Sequence, residues 1–211
     1  GGSSVASPKN IEKVLNIVAN SSAEQNVVVV VSAFGKTTNA LIKGATLASQ
    51  KNEEYLKVLK ELENHHFEVV KELIPVKQQT PVNSHVKQLF NQLETIYEGC
   101  FLLRELSTKT LAKVSSFGEL LSSYIIAKAA NEEFTTVYKD SRELIVASDN
   151  YNNAIVDFPT TFKKCDEYFS THSQKVTIIP GFVARTIHGK TTTLGRGGSD
   201  FTASIIAAAL N

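Results

Sequence analysis

The sequence has no methionine, only two cysteines and a net charge of just +1 at pH 7. Each shortage excludes something. Cys100 and Cys165 are far apart and form no CxxC pair, so they read as two reduced thiols of a cytoplasmic protein rather than a disulfide framework. The balance of 22 Lys and Arg against 21 Asp and Glu gives no electrostatic case for nucleic acid or an anionic membrane. No apolar run reaches the length of a membrane span, Val27–Val31 being strand-sized. No charged-then-apolar leader argues for secretion. The chain begins Gly1-Gly2-Ser3-Ser4 without methionine and stops on Asn211 directly after an apolar helical pattern. Both ends therefore read as cut through a fold, as in a fragment.

What is present is ordinary globular material. Hydrophobic residues make up 42% of the 211 positions and charged residues 20%, enough for one sizeable core. Ser7-Pro8 is a good helix start, with Ile11, Val14, Leu15 and Val18 on one face and Asn20-Ser21-Ser22 closing it. Val27–Val31 reads as a strand buried on both faces. A turn at Ser32-Ala33-Phe34-Gly35 then leads into a helix from about Thr38. Helical patterns follow over residues 40–49, 52–74 and 82–106, with a polar break between Pro75 and Pro81 and a weak point at Gly99. Ser115-Ser116-Phe117-Gly118-Glu119 opens a further helix. Short strands are expected at 134–138, 144–147 and 175–179, a helix at 159–169, and a hairpin turn at Ile187-His188-Gly189-Lys190. Strands alternating with helices make this an α/β chain, with a helical insertion over about residues 40–130.

The most informative stretch is residues 191–211, TTTLGRGGSDFTASIIAAALN. It reads as an extended segment, a glycine-rich turn carrying Arg196, Ser199 as N-cap, and a helix with Asp200 in its first turn. Free N–H groups at a helix N-terminus beside an arginine suit an anion, although a tight turn with no ligand has the same composition. Gly35-Lys36-Thr37 and Gly189-Lys190-Thr191 are not P-loops, because Val30 and Ala184 stand where that motif needs glycine. Asp200 replaces the third glycine of a Rossmann fingerprint. His65, His66, His85, His172 and His188 show no zinc spacing and read as surface histidines, so no metal ligands are assigned. Glu119 either caps its own helix or binds a ligand ammonium group. With Arg196 it would hold a zwitterion, but spacing does not say that the two meet.

Four segments in order carry a resemblance. They are Gly1-Gly2-Ser3-Ser4-Val5; Val31-Ser32-Ala33 followed by Thr38-Asn39; Ser116-Phe117-Gly118-Glu119; and Gly181-Phe182 followed by the run TTLGRGGSD that ends at Asp200. They resemble the aspartate kinases, members of the amino acid kinase family. The resemblance implies a three-layer α/β/α sandwich around a mainly parallel sheet. It also implies ATP-dependent phosphorylation, with Mg2+, of the β-carboxylate of L-aspartate, the first step toward lysine, threonine and methionine. By matching positions, Arg196 would pair with a substrate carboxylate and Glu119 with the α-ammonium group, while Ser32, Thr38, Phe182 and Ser199 complete the pocket. Gly1, Gly2 and Ser3, with Gly197 and Gly198, would present backbone N–H groups to phosphate, and Asp200 would orient the catalytic lysine and the phosphoryl group. The family lysine precedes the glycine pair and is not in this sequence. The nucleotide-base site and regulatory domains of the family would follow Asn211. The resemblance thus implies an N-terminal portion of a catalytic domain, inactive by itself, from a homo-oligomeric parent. Another amino acid kinase, or a non-catalytic amino-acid-binding module, is the alternative.

Overall fold

The computed structural model describes residues 1–210. Helix α1 (Pro8–Glu24) starts as expected, the Ser7 hydroxyl accepting from Asn10 N–H at 3.4 Å with proline at the first position. It runs past the expected stop at Ser22. The Ser22 hydroxyl folds back on the Ala19 carbonyl at 2.9 Å, satisfying itself inside the helix. Strand β1 (Val27–Val31) follows, then four helices in succession: α2 (Thr37–Ser49), α3 (Glu54–Leu73), α4 (Val76–Leu103) and α5 (Thr108–Ala130). Next come β2 (Thr136–Tyr138), a 3-10 turn (Ser141–Glu143), β3 (Val146–Ala147), α6 (Phe158–Thr171), β4 (Val176–Pro180), β5 (Val183–Thr186), β6 (Thr191–Thr193) and α7 (Gly198–Ala209).

The strands form two three-stranded sheets, β1-β4-β2 and β3-β5-β6. All pairings are parallel except the β5–β6 hairpin, where Gly189 takes a positive φ of 73° in the turn. Strand β4 is central and buried throughout. Its side chains alternate: Val176 and Ile178 join the core under helices α1–α5, and Ile179 joins the core under α6 and α7. Val29 and Val31 of β1 follow the first face and Val28 the second. Helices therefore cover both faces of a mainly parallel sheet, the three-layer arrangement expected. No described helix is long and apolar enough to cross a membrane.

Several expectations are corrected. Residues 27–30 are only half-buried, because β1 is the outermost strand of its sheet. The break between Pro75 and Pro81 is absent. Pro75 sits at the N-cap, and Pro81 falls in the second turn of α4, where its missing N–H costs a single ladder bond. Helix α5 begins at Thr108, the Ser107 hydroxyl accepting from Thr110 N–H at 3.1 Å, so Ser115-Ser116-Phe117-Gly118-Glu119 is mid-helix. Helix α7 is capped by Gly197 (φ 74°), not by Ser199, which lies in its first turn. His66 is not a surface residue. It is buried between Phe34 and Phe90, its Nδ1 bonded to the Leu62 carbonyl at 2.8 Å, and burial pushes its pKa down to about 4. Both cysteines are buried and unpaired.

The four-helix stretch has its own close contact. A Cβ built on Gly44 would fall 2.6 Å from the Tyr97 hydroxyl, which donates to the Leu41 carbonyl at 2.8 Å. Tyr97 is fully buried, so it has little room to give. Gly44→Ala is expected to destabilise by about 1–3 kcal/mol, against a helix-propensity gain of ~1 kcal/mol. Gly99→Ala, whose Cβ meets nothing within 4 Å, is expected to stabilise by up to ~1 kcal/mol. Urea unfolding of the two variants, moving in opposite directions, checks the pair.

Candidate active site

The chain ends of β1 and β4 point the same way, and the loops leaving them build one site. At the end of β1, the Gly1–Ser4 turn is fastened to the outgoing loop, Gly35 N–H donating to the Gly2 carbonyl at 3.2 Å. A Cβ on Gly2 would stand 3.2 Å from the Ala33 carbonyl oxygen. At the end of β4, Gly181 N–H donates to the Val31 carbonyl at 2.8 Å, and Phe182 follows with φ 65°. A phenylalanine in the left-handed region costs about 1–3 kcal/mol and persists only where its surroundings hold it.

Helix α5 supplies the opposite wall. A Cβ on Gly118 would come within 2.8 Å of Ala33 Cβ, so the glycine lets the helix lie against the β1 loop. One turn on, the Ser122 hydroxyl donates to the Ser32 carbonyl at 2.9 Å. Glu119, between them, is therefore set beside Ser32. It is 4% exposed, and its Oε2 has no hydrogen-bond partner among the described residues. Burial raises its pKa to about 8, against a smaller opposite effect of the Ala33 amide and its own. Desolvation thus favours the neutral, protonated form of the carboxyl group.

The third wall is the turn before α7. Gly195 (φ 80°) and Gly197 (φ 74°) adopt conformations that favour glycine. Gly198 N–H bonds the Gly195 carbonyl at 3.0 Å, while Ser199 and Asp200 N–H have no partner among the described residues. With no side-chain cap, the positive end of the helix dipole opens onto the site. Arg196 beside it is exposed and forms no ion pair among the described residues.

These walls enclose a cleft of about 620 Å³. Gly1, Gly2, Ser32, Thr38, Glu119, Phe182, Arg196, Gly197, Gly198, Ser199 and Asp200 all line it. Ser3 does not. Its carbonyl accepts from Asn10 Nδ2 at 3.2 Å. Lys9, Lys36 and Lys190 are likewise not among the lining residues. Asn39, Thr193 and Gly195, which belong to the resembling segments without an assigned role, also line it, as do Ile42, Leu111, Ser115 and Asn152, which the sequence did not single out as site residues. Helical spacing holds a signal for Leu111, Ser115 and Ile42: the first two precede Glu119 at four-residue intervals on α5, and Ile42 stands one turn after Thr38. Ser116, of the recognised Ser-Phe-Gly-Glu segment, instead turns its hydroxyl back to the Lys113 carbonyl at 2.7 Å, leaving Ser115 to face the cleft. Asn152 sits in a loop and carries no periodic signal.

The arrangement joins three chemistries. A buried carboxyl group waits for a donor or cation, a free guanidinium suits a carboxylate, and glycine turns and a helix N-terminus offer amides to an anion. Together they fit a small zwitterion beside a phosphate.

The model of the amino acid kinase family matches residues 1–211. Aspartokinase 1 of Arabidopsis thaliana, a chloroplastic protein, is 34% identical over all of this chain and 37% of its own length. An aspartokinase of Chlamydia pneumoniae is 30% identical over 98% of this chain and 43% of its own length. This chain thus spans less than half the length of these relatives. The solved structure of E. coli aspartokinase III in complex with lysine and aspartate is 26% identical with a TM-score of 0.88, covering 100% of this chain and 46% of that one.

Proposed function

This chain belongs to the amino acid kinase family, and from that premise we propose that it is the aspartate-binding, N-terminal part of an aspartate kinase catalytic domain. The reaction is transfer of the γ-phosphoryl group of ATP to the β-carboxylate of L-aspartate, giving 4-phospho-L-aspartate. One observation carries the reading: a buried carboxyl oxygen without a partner and an arginine without an ion pair line the same cleft, which also receives two glycine turns. The matching segments of aspartokinases over the whole chain support it.

On this reading Arg196 forks onto a substrate carboxylate. Glu119 gives up its proton and receives the α-ammonium group. Ser32, Thr38, Phe182 and Ser199 close around the rest of the amino acid. The amides of Gly1, Gly2, Gly197 and Gly198 face the phosphoryl oxygens, where aimed N–H dipoles stabilise developing charge at no cost of reorganisation. Asp200 orients the phosphoryl end. The open turns and the single carboxylate at the α7 end fit a nucleotide that arrives with its own Mg2+, which would neutralise phosphate charge there.

The full-length protein should form ADP in an L-aspartate-dependent manner, with the acyl phosphate trapped as a hydroxamate by hydroxylamine. L-Glutamate should be a much poorer acceptor. Aspartate-independent ADP formation, or a preference for glutamate, would sink the proposal.

A further inference from the structure

Thr202 lies behind the cleft wall and does not line it. It is fully buried in α7, and its hydroxyl is used twice. It accepts from the Phe182 N–H at 3.0 Å and donates to the Gly198 carbonyl at 2.8 Å. The Phe182 carbonyl is held as well, accepting from Leu194 N–H at 2.9 Å. Both backbone polar groups of a residue in a disfavoured conformation are thus tied down, one of them through α7. The contact is close-packed too. A Cβ on Gly181 would fall 2.6 Å from the Ser199 hydroxyl, and one on Gly198 would fall 2.7 Å from the Phe182 ring.

From this geometry we propose that Thr202 is a positioning residue whose hydroxyl latches the Phe182 turn to the N-terminus of α7. The Phe182 wall and the anion-binding turn then move as one body. Phe182 keeps its strained backbone, and the pocket for the amino-acid substrate keeps its width. The inference rests on the aspartate reading for the identity of that substrate, but the latch itself does not. Valine has the shape of threonine and no hydroxyl, so it leaves the partly buried Phe182 amide unpaired. Serine retains both bonds.

In the full-length protein, Thr202→Val is expected to speed deuterium exchange at the Phe182 amide by about tenfold, as the loss of its hydrogen bond implies. It is also expected to raise KM for aspartate by about tenfold while KM for ATP stays within about twofold, with Thr202→Ser close to wild type in all three. Should the valine variant not fold, Thr202→Ala unpairs the same groups without an added methyl demand and is read identically. Unchanged exchange at Phe182 overturns the latch whatever the substrate. Equal losses with aspartate and ATP, or no rescue by serine, overturn it as well, being the mark of general destabilisation. A wild-type protein that neither binds nor phosphorylates aspartate overturns the functional reading instead, and the exchange result alone then decides the latch.

Discussion

Arg196→Ala is expected to raise KM for aspartate by roughly one and a half to three orders of magnitude, with a much smaller effect on ATP. The size follows from the charge-assisted, bidentate contact that a guanidinium makes with a carboxylate, and truncating such a pair costs about 2–4 kcal/mol at 1.4 kcal/mol per decade. Arg196 has no ion pair within the described chain to lose, so the variant should fold normally. Its exposure points the same way, since unfolding exposes little new surface there. Arg196→Lys should recover only part of the loss, because an ammonium is a point charge without the planar fork. Steady-state kinetics over both substrates, with a thermal melt as control, tests this. An alanine variant with wild-type KM for aspartate would remove Arg196 from the pocket.

Glu119→Gln is expected to do opposite things to stability and to binding. The folded-state pKa of about 8 lies well above the usual carboxyl value of 4.5. Between those two pH values the native protein holds a proton that the unfolded chain releases, so stability is greatest below pH 4.5 and falls as pH rises through 8. Over that window the loss is on the order of 5 kcal/mol at about 1.36 kcal/mol per unit. Glutamine cannot ionise, so the variant should gain on wild type as pH increases, and denaturant unfolding at pH 5 and pH 9 without ligand reads the difference. Parallel curves would show that Glu119 is not desolvated. Binding should respond the other way. Capture of an ammonium group requires the carboxylate, so wild-type affinity for aspartate should climb by up to about tenfold per pH unit below pH 8 and level off above it. The glutamine variant should bind aspartate weakly at every pH, without that slope.

What could be read from the residues alone was local. The strand at Val27–Val31, the hairpin at Gly189, and the glycine turn before α7 each depend on chemistry within a few positions, and each lies where expected. The misreadings share a cause. Ser115-Ser116-Phe117-Gly118 has the composition of a turn, yet its small residues serve long-range contact: Gly118 makes room for Ala33, and Ser122 further along reaches Ser32. A helix interior that accepts glycine at ~1 kcal/mol for the sake of a neighbour looks, in sequence, like a helix end. Ser199 has the composition of a cap, but Gly197 in a left-handed conformation starts the helix two residues earlier. That Glu119 and Arg196 share a cleft was not legible from spacing at all. It came from the resemblance to aspartate kinases, and the cleft that brings them together depends on packing between distant segments. Nothing in the loop around Asn152 had marked it as a wall of the same cleft.

The outermost position of β1 has a consequence for handling the polypeptide. Five consecutive valines present one row of backbone N–H and C=O groups with no strand beside them among the described residues, on residues that are mostly only half-buried. No lysine, proline or bulge interrupts the run to discourage pairing. Such an edge is a template for a strand from another molecule. Concentrated on its own, this polypeptide carries a built-in route to self-association through β1, and its colloidal behaviour depends on whatever strand lies against that edge.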